Sequence, residues 1–339
     1  MTATKLACVG GFGHMVDVLS DLQSQDAPPV NVAGCAPAHE GENLDALSRH
    51  PFFPGRDSVR VYDSIDSLLG AEQPEILVVS TRPDRIAGAI RAGVQAGCHI
   101  ISEKPLALDL TELSSLQALA GKARRAVLGM LSMRRLPLFR LARERVEAGC
   151  IGPVSLINTR KSYKWGHRPH WFRNRAQYGG TWPWIGIHNV DMAHFLTGRH
   201  VTKGTAFHAC RVHTDFASCE DVATGNFALE DGILMTASID YLRPEIATTH
   251  GDDWCRVVGE KGVIEVSVAR NEVRVMTDSG EETVQVETAP QPLYAEWIRD
   301  LASQPDTVVG DDTAFRLTRA ALAARDAADS GKPFDLNMP

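Results

Sequence analysis

The sequence predicts an α/β chain in two parts: a parallel sheet alternating with helices over residues 1–130, then an α+β domain over 131–339 with a large, mostly antiparallel open sheet. Three observations carry that prediction. Short apolar runs alternate with helical periodicity early in the chain, as at Ile76–Val79, then Ile86, Ile90 and Val94, then Ile100-Ile101. A glycine-rich turn separates the first such run from the first helical pattern. Beyond Pro153 the pattern changes to many short strands punctuated by turn signals, as in an antiparallel sheet packed on helices.

Length and charge narrow the partners before any motif is read. At 339 residues the chain has ample core for two medium domains. Its net charge is −7 and no basic stripe is interleaved with aromatics, so nucleic acid is not an expected partner. No apolar run approaches the ~18 residues of a membrane span. Met1–Lys5 leads straight into a strand-like segment with no signal-peptide core. Seven cysteines, an odd number with no Cys-x-x-Cys pair, point to reduced thiols in a cytoplasmic protein. His167 and His170 frame Pro169, and His208 and His213 flank Cys210, but neither spacing is that of a metal motif, so no metal is expected.

Lys5–Val9 is the first strand. Gly10, Gly11, Phe12, Gly13 and His14 follow, then a helix from Met15 to Leu22. Strand, glycines, helix is the arrangement in which backbone N–H groups receive a pyrophosphate. Against the fingerprint G-x-G-x-x-G, Gly10 and Gly13 fit while Cys8 occupies the first glycine position. Val30–Cys35 is the second strand. Its tip, where an acidic residue would grip the adenosine ribose, reads Ala36-Pro37-Ala38. His39 or Glu40 is near enough in sequence to substitute, and Arg49 is too far along to mark a 2′-phosphate site. NAD or NADP therefore stays open, with a lean to NAD. Residues 42–66 read as loop and short helix, broken by Pro51 and Pro54, until Ser64 or Asp63 caps a helix.

The strand Ile76–Val79 ends in Ser80, Thr81 and Arg82. The next helix stops at Gly97 as at a left-handed cap, and the strand after it runs into Glu103-Lys104-Pro105. A βαβ unit places the carboxyl ends of its strands beside the ligand, so Lys104, followed by the fixed φ of Pro105, is a cation held in a crevice. A helix over Asp109–Ala123 and a strand over Ala126–Met130 complete this domain, ending at Arg134 and Arg135, candidates to pin an anionic group of a substrate.

A helix over Leu138–Ala148 precedes the strands of the second domain: Val154–Lys161, Thr205–Val212, Ala223–Leu229, Ile233–Tyr241, Cys255–Gly259, Gly262–Val268, Glu272–Met276 and Thr283–Glu287. Helices over Tyr294–Ser303 and Asp312–Ser330 close the chain. Between the first two strands lies the most unusual stretch, residues 163–194, with four of the six tryptophans. Aromatic faces suit the C–H faces of sugars, and tryptophans equally anchor long loops. Within it Ile187 opens a helix, with His188 in the first turn and Asp191 three residues on, on the same face. The helix dipole disfavours a cation there, so His188 is expected to be neutral and able to accept a hydroxyl proton.

The run from Ser80-Thr81 through Glu103-Lys104-Pro105-Leu106-Ala107 closely resembles the glucose–fructose oxidoreductase/inositol dehydrogenase (Gfo/Idh/MocA) family, as does Gly179-Gly180 followed by Gly186-Ile187-His188-Asn189-Val190-Asp191. The resemblance implies an N-terminal Rossmann domain that binds NAD or NADP and a C-terminal α+β domain that binds substrate and forms a homo-oligomer through its sheet. It implies catalytic roles for Lys104 and His188, which would face each other across the nicotinamide ring. It also implies cofactor contacts from Gly10, Gly11, Phe12, Gly13, His14, Ser80, Thr81, Arg82, Glu103, Trp171 and Arg173. Substrate contacts are expected from Tyr163, Trp165, His167, Trp184 and Asp191. The sequence departs from the inositol dehydrogenases at Trp184, where those members carry an Asp four residues before the His. Tyr163, Lys161 or Asp191 is then left to supply the polar role. The implied reaction is hydride transfer between nicotinamide and a secondary alcohol of a sugar, sugar acid or polyol-like ring compound. The alternatives are a tightly bound NAD used for transient oxidation in glycoside cleavage or epimerisation, and a non-catalytic dinucleotide- or sugar-binding regulator.

Overall fold

The computed structural model describes residues 3–24, 26–52, 59–286 and 289–337, apart from the side chains of Ala46 and Ser48. Pro54, read as a loop breaker, and Glu287, read as a strand end, lie outside the described residues. Two compact units divide the chain: residues 1–132 with 292–318, and residues 133–291 with 319–339. The sequence boundary was drawn near residue 130, with everything after it assigned to the second domain.

In the first unit five parallel strands, β1 (Thr4–Val9), β2 (Val30–Ala36), β3 (Ile76–Val79), β4 (His99–Ser102) and β5 (Val127–Gly129), lie in the order β2-β1-β3-β4-β5. Helices α1 (Met15–Asp21), α2 (Asp45–Ser48), α3 (Ile65–Glu72), α4 (Pro83–Gln95) and α5 (Leu110–Ala123) occupy the connections. All four residues of β3 are buried, which is why it reads as a continuous apolar run. Beyond β2 a single parallel bridge joins Cys35 and Val61. With that bridge counted, the order is that of a doubly wound dinucleotide-binding sheet, and it reverses direction between β1 and β3.

The helix ends follow local chemistry. Ser64 caps α3 in a reciprocal box with Ser67, and the Asp109 side chain accepts the Glu112 N–H at 2.8 Å to open α5. Gly97, at φ +89°, ends α4 while the Cys98 N–H reaches back to the Gly93 carbonyl at 2.9 Å, the left-handed cap expected from sequence.

The second unit carries nine strands: β6 (Val154–Tyr163), β7 (Val201–Ala209), β8 (Val222–Leu229), β9 (Leu234–Asp240), β10 (Gly251–Gly259), β11 (Gly262–Ser267), β12 (Glu272–Thr277), β13 (Gly280–Gln285) and β14 (Phe334–Asp335). Their order is β13-β12-β11-β10-β6-β9-β8-β7-β14, antiparallel throughout except for the central β6–β9 pair. Burial alternates along β6, with Ile157, Thr159 and Lys161 inward. Helices α6 (Pro137–Glu147), α7 (Arg175–Tyr178) and α8 (Ile187–Thr197) belong to this unit.

The chain then returns to the first unit with α9 (Tyr294–Ser303) and α10 (Pro305–Gly310), and α11 (Thr313–Ser330) counts with that unit through Thr318. The reason is visible at Asp21. Helix α9 has no cap of its own, and the buried Asp21 Oδ2 accepts the N–H groups of Leu293 (2.9 Å), Tyr294 (2.6 Å) and Ala295 (3.2 Å). Tyr294, Ala295, Trp297 and Ile298 join the core formed by Leu6, Met15, Val18 and Leu19. No helix among the described residues is long and apolar enough to cross a membrane.

Candidate functional site

In the first unit the predicted cofactor residues gather at the carboxyl ends of β1, β3 and β4. The Gly10 N–H donates to the Ala36 carbonyl at 2.9 Å, and the Phe12 N–H donates to the Ser80 carbonyl at 3.0 Å, while the Ser80 hydroxyl returns a bond to the Phe12 carbonyl. Gly10 has φ +78°, and a Cβ there would meet the Ser80 backbone and stand 2.9 Å from the Thr81 Cβ. Gly13, at φ +85°, faces Glu103 so closely that a Cβ would stand 2.9 Å from its carboxyl carbon. Two positions that exclude any side chain, at the point where the sheet reverses direction, form a cradle that fits a dinucleotide backbone.

Glu103 is fully buried and closes the floor of this turn. Its Oε1 accepts the His14 N–H at 2.7 Å and meets His14 Nδ1 at 2.5 Å, and Oε2 accepts the Lys104 N–H at 2.9 Å. Burial alone would raise its pKa, but the His14 imidazole, these bonds and the Lys104 ammonium overcome that and hold it down at about 2. The far side of His14, Nε2, reaches the Ser132 hydroxyl at 3.3 Å. Lys104 itself is 3% exposed at the tip of β4. Arg82 is committed to Asp84 through two bonds, Nε at 2.5 Å and Nη2 at 3.0 Å, an arrangement that orders the start of α4.

Near the tip of β2 a buried carboxylate comes from later in the loop, while the nearer candidates are otherwise placed. Glu40 is exposed, and His39 Nδ1 bonds the Glu40 carbonyl at 3.0 Å. Glu42, whose side chain is only 6% exposed, accepts the Ala38 N–H at 2.6 Å and the Thr81 hydroxyl at 2.5 Å. Sequence reasoning looked at the strand tip and its nearest neighbours, and nothing in the spacing singles out Glu42.

In the second unit His188 and Asp191 lie on α8, Lys161 and Tyr163 on β6, and the ion pairs are Asp191 with Arg134 and Lys161 with Asp253 of β10. Arg134 does not stand free for a substrate anion: its Nε and Nη2 donate to Asp191 Oδ1 at 2.9 and 2.6 Å. Asp191 is fully buried, and burial raises its pKa by more than Arg134 lowers it. Lys161 is paired with Asp253 directly across the strands. Burial alone would lower the Lys161 pKa, but Asp253 and the Tyr163 hydroxyl carry it above its ordinary value.

His188 is 4% exposed and lies in the first turn of α8, as expected, but the dipole argument does not survive. The backbone is already helical from Thr181, through a π-helical turn over Trp182–Gly186 that runs into α8. His188 is therefore well inside one continuous helical run, whose opening N–H groups lie upstream.

Trp184 is buried edge-on against Trp171 (5.8 Å between ring centroids) and Phe172 (5.9 Å), with Tyr178 completing the group. Its surroundings are those of a core aromatic. Trp165 stacks on His213 at 3.8 Å and meets Tyr241 edge-on at 5.8 Å. Arg173 is exposed with its guanidinium 4.5 Å from the Phe216 ring, and His167 is exposed. No three His, Cys, Asp or Glu side chains among the described residues are grouped to hold a metal.

Residues 44–129 match the family model of the oxidoreductase NAD-binding Rossmann fold, and residues 139–265 match the Gfo/Idh/MocA C-terminal domain. A solved Thermotoga maritima protein designated an oxidoreductase is 30% identical, with a TM-score of 0.89 over 98% of this chain and 99% of that one. D-apiose dehydrogenase of Paraburkholderia graminis is 25% identical over 69% of this chain and 61% of its own length. Inositol 2-dehydrogenase of Rhizobium meliloti is 26% identical over 59% of each. The chain thus spans about three fifths of the length of these curated relatives. Levoglucosan dehydrogenase, solved with NADH and L-sorbose, shares the fold at a TM-score of 0.82 and 18% identity over the whole of both chains. With a Rossmann unit, a mostly antiparallel second sheet and both domain matches in hand, the chain belongs to the Gfo/Idh/MocA family of NAD(P)-binding oxidoreductases.

Proposed function

We propose that the chain is an NAD-dependent oxidoreductase that transfers a hydride between nicotinamide and a secondary alcohol of a sugar or polyol-like ring compound. The observation that carries this reading is the side-chain-free cradle at Gly10 and Gly13, bounded by Ser80 and Thr81 and ending beside the buried Glu103 and Lys104. When bound, the cofactor supplies the two-electron hydride acceptor. The chain has to handle the proton that leaves the substrate hydroxyl, and we assign this to His188, with Lys104 polarising the oxygen. The names of the matched dehydrogenases, which concern apiose, inositol and levoglucosan, support a polyhydroxylated substrate.

Glu42 supports NAD over NADP, because a buried carboxylate beside the Ala38 N–H suits ribose hydroxyls and repels a 2′-phosphate. Self-association through the outer face of the second sheet is part of the same reading, supported by Phe207 and Leu234, which are 62% and 56% exposed there.

The test is a fluorescence titration with NADH and NADPH, followed by a polyol oxidation screen. NADH is expected to bind more tightly. Glu42→Gln should narrow that preference by about tenfold, as loss of a charge-assisted bond implies. Turnover that survives in both Lys104→Ala and His188→Ala removes the assigned roles, and no binding of either dinucleotide removes the dehydrogenase reading.

A further inference from the structure

Residues 148–190 contain Arg160, Lys161, Lys164, Arg168, Arg173 and Arg175 and no acidic residue, so each of these cations must find its counter-charge elsewhere in the second unit. Three of them do. Arg160 meets Asp252 at 2.8 Å, Lys161 meets Asp253, and Arg175 meets Glu220 and Asp329. Lys164 bonds the Glu245 carbonyl at 2.7 Å, and Arg173 is exposed over the Phe216 ring.

Arg168 is different because it is partly buried and still lacks an anion. Its Nε is out of solvent without a hydrogen-bond partner, and its single hydrogen bond among the described residues runs from Nη2 to the Lys164 carbonyl at 3.3 Å. What surrounds it is aromatic. The guanidinium carbon lies 4.4 Å from the ring centroid of Tyr241, 5.3 Å from that of Trp165 and 5.4 Å from that of Phe172. Ring faces attract the charge and fix the plane of the guanidinium, but they leave most of its N–H donors unbonded. The cage also adjoins residues expected from sequence to meet substrate: Trp165 is part of it, and Tyr163 lies 6.4 Å from Tyr241 and 5.4 Å from His250.

The charges around His250 show what is left over. Burial lowers its pKa first, and Arg168 and Lys164 lower it further against Glu245 and Asp253. Asp253 is answered by Lys161, and Lys164 reaches the segment that carries Glu245. Arg168 therefore remains as one unanswered positive charge. A carboxylate matches it in charge and in shape, being a planar monoanion that accepts from two N–H groups of one guanidinium. A phosphate monoester carries close to two charges and calls for further cations.

We propose that Arg168 receives a carboxylate of the substrate, with Trp165, Phe172 and Tyr241 holding its guanidinium in place, and that the substrate class is sugar acids in preference to neutral sugars. The inference rests on the dehydrogenase reading and narrows its substrate class.

The experiment uses the full chain. With NADH bound it measures thermal stabilisation by D-gluconate, D-galactonate, D-glucuronate and D-galacturonate, against D-glucose, D-galactose and D-glucose 6-phosphate. KM and kcat with NAD follow for whichever compound is oxidised. At least one acid is expected to act at a concentration about tenfold below its neutral parent, with a preference that shrinks as KCl is raised. Arg168→Gln should raise KM or the half-stabilising concentration for that acid by about tenfold, to the level of the neutral parent, while NADH affinity stays within about twofold. A purely structural Arg168 would instead weaken acid and neutral compounds alike. Arg168→Lys, the variant to use if Arg168→Gln does not fold, keeps the charge without the planar fork and should move the same quantity in the same direction. No response to any acid, equal response to acids and neutral parents, preference for the phosphate, or an acid preference that survives these substitutions overturns the proposal. Failure to bind NADH removes the dehydrogenase reading first, so the two failures are distinguishable.

Discussion

Gly10→Ala tests the cradle most directly, because the added atom has nowhere to go. The methyl group would press on the Ser80 backbone and stand 2.9 Å from the Thr81 Cβ, and φ +78° would hold alanine in the left-handed region. The backbone conformation costs about 1–2 kcal/mol. Forcing β1 and β3 apart at their tips adds about 1–3 kcal/mol, the usual range for overpacking. A combined loss of about 2–5 kcal/mol should lower the melting temperature by roughly 4–20 °C. The displaced Ser80 would also let go of Phe12, so NADH affinity should fall along with stability. Gly88→Ala is the internal control: Gly88 lies exposed within α4 with nothing inside 4 Å of the added carbon. It should stabilise by about 0.4–1 kcal/mol and leave NADH binding alone. Differential scanning fluorimetry and a fluorescence titration read both quantities. A Gly10→Ala chain with wild-type melting temperature and wild-type NADH affinity refutes the reasoning.

Two further outcomes follow from buried charge. Glu103 has its pKa lowered from an ordinary 4.5 to about 2, so its contribution is fully present above pH 4.5 and disappears as pH falls toward 2. The contribution is on the order of 3 kcal/mol. Urea unfolding at several pH values across that window should show a smaller acid-induced loss in Glu103→Gln than in the wild type, and parallel curves count against the assignment. Arg134→Ala leaves Asp191 fully buried without its cation, which should cost about 3–5 kcal/mol in chemical denaturation, and a cost under about 1 kcal/mol shows that the pair is not what holds Asp191.

What could be read from the sequence was local, or carried by a motif with local spacing. Ser64 and Gly97 act on backbone groups within a few residues, so residue type and position suffice to predict them, while Asp109, read as the first helical residue, is the cap. The strands β3 and β4 announced themselves as apolar runs because both faces of a parallel sheet are covered. Missed features depend on register or on contacts distant in sequence. Asp21 caps a helix 272 residues away, and Lys161 meets Asp253 across 92 residues only because β6 and β10 pair in that register. The π-helical turn before α8 shows no period that distinguishes it from ordinary helix, so the environment of His188 was misjudged although its element was not. Glu42 was overlooked because the loop folds back toward Thr81, a path that no strand-tip rule anticipates.

The replacement of an expected Asp by Trp184 is best understood through its surroundings. Trp171, Phe172 and Tyr178 lie between 5.8 and 6.3 Å from its ring. A carboxylate placed among these three rings would lose much of its hydration, so an Asp at this position would sit in surroundings built for an aromatic side chain. Seven residues further along the same helical run, Asp191 has Arg134, and on the facing strands Asp253 has Lys161. Buried carboxylates of the second unit that keep a cation thus include Asp191, on the helix that carries His188, and Asp253, on the sheet.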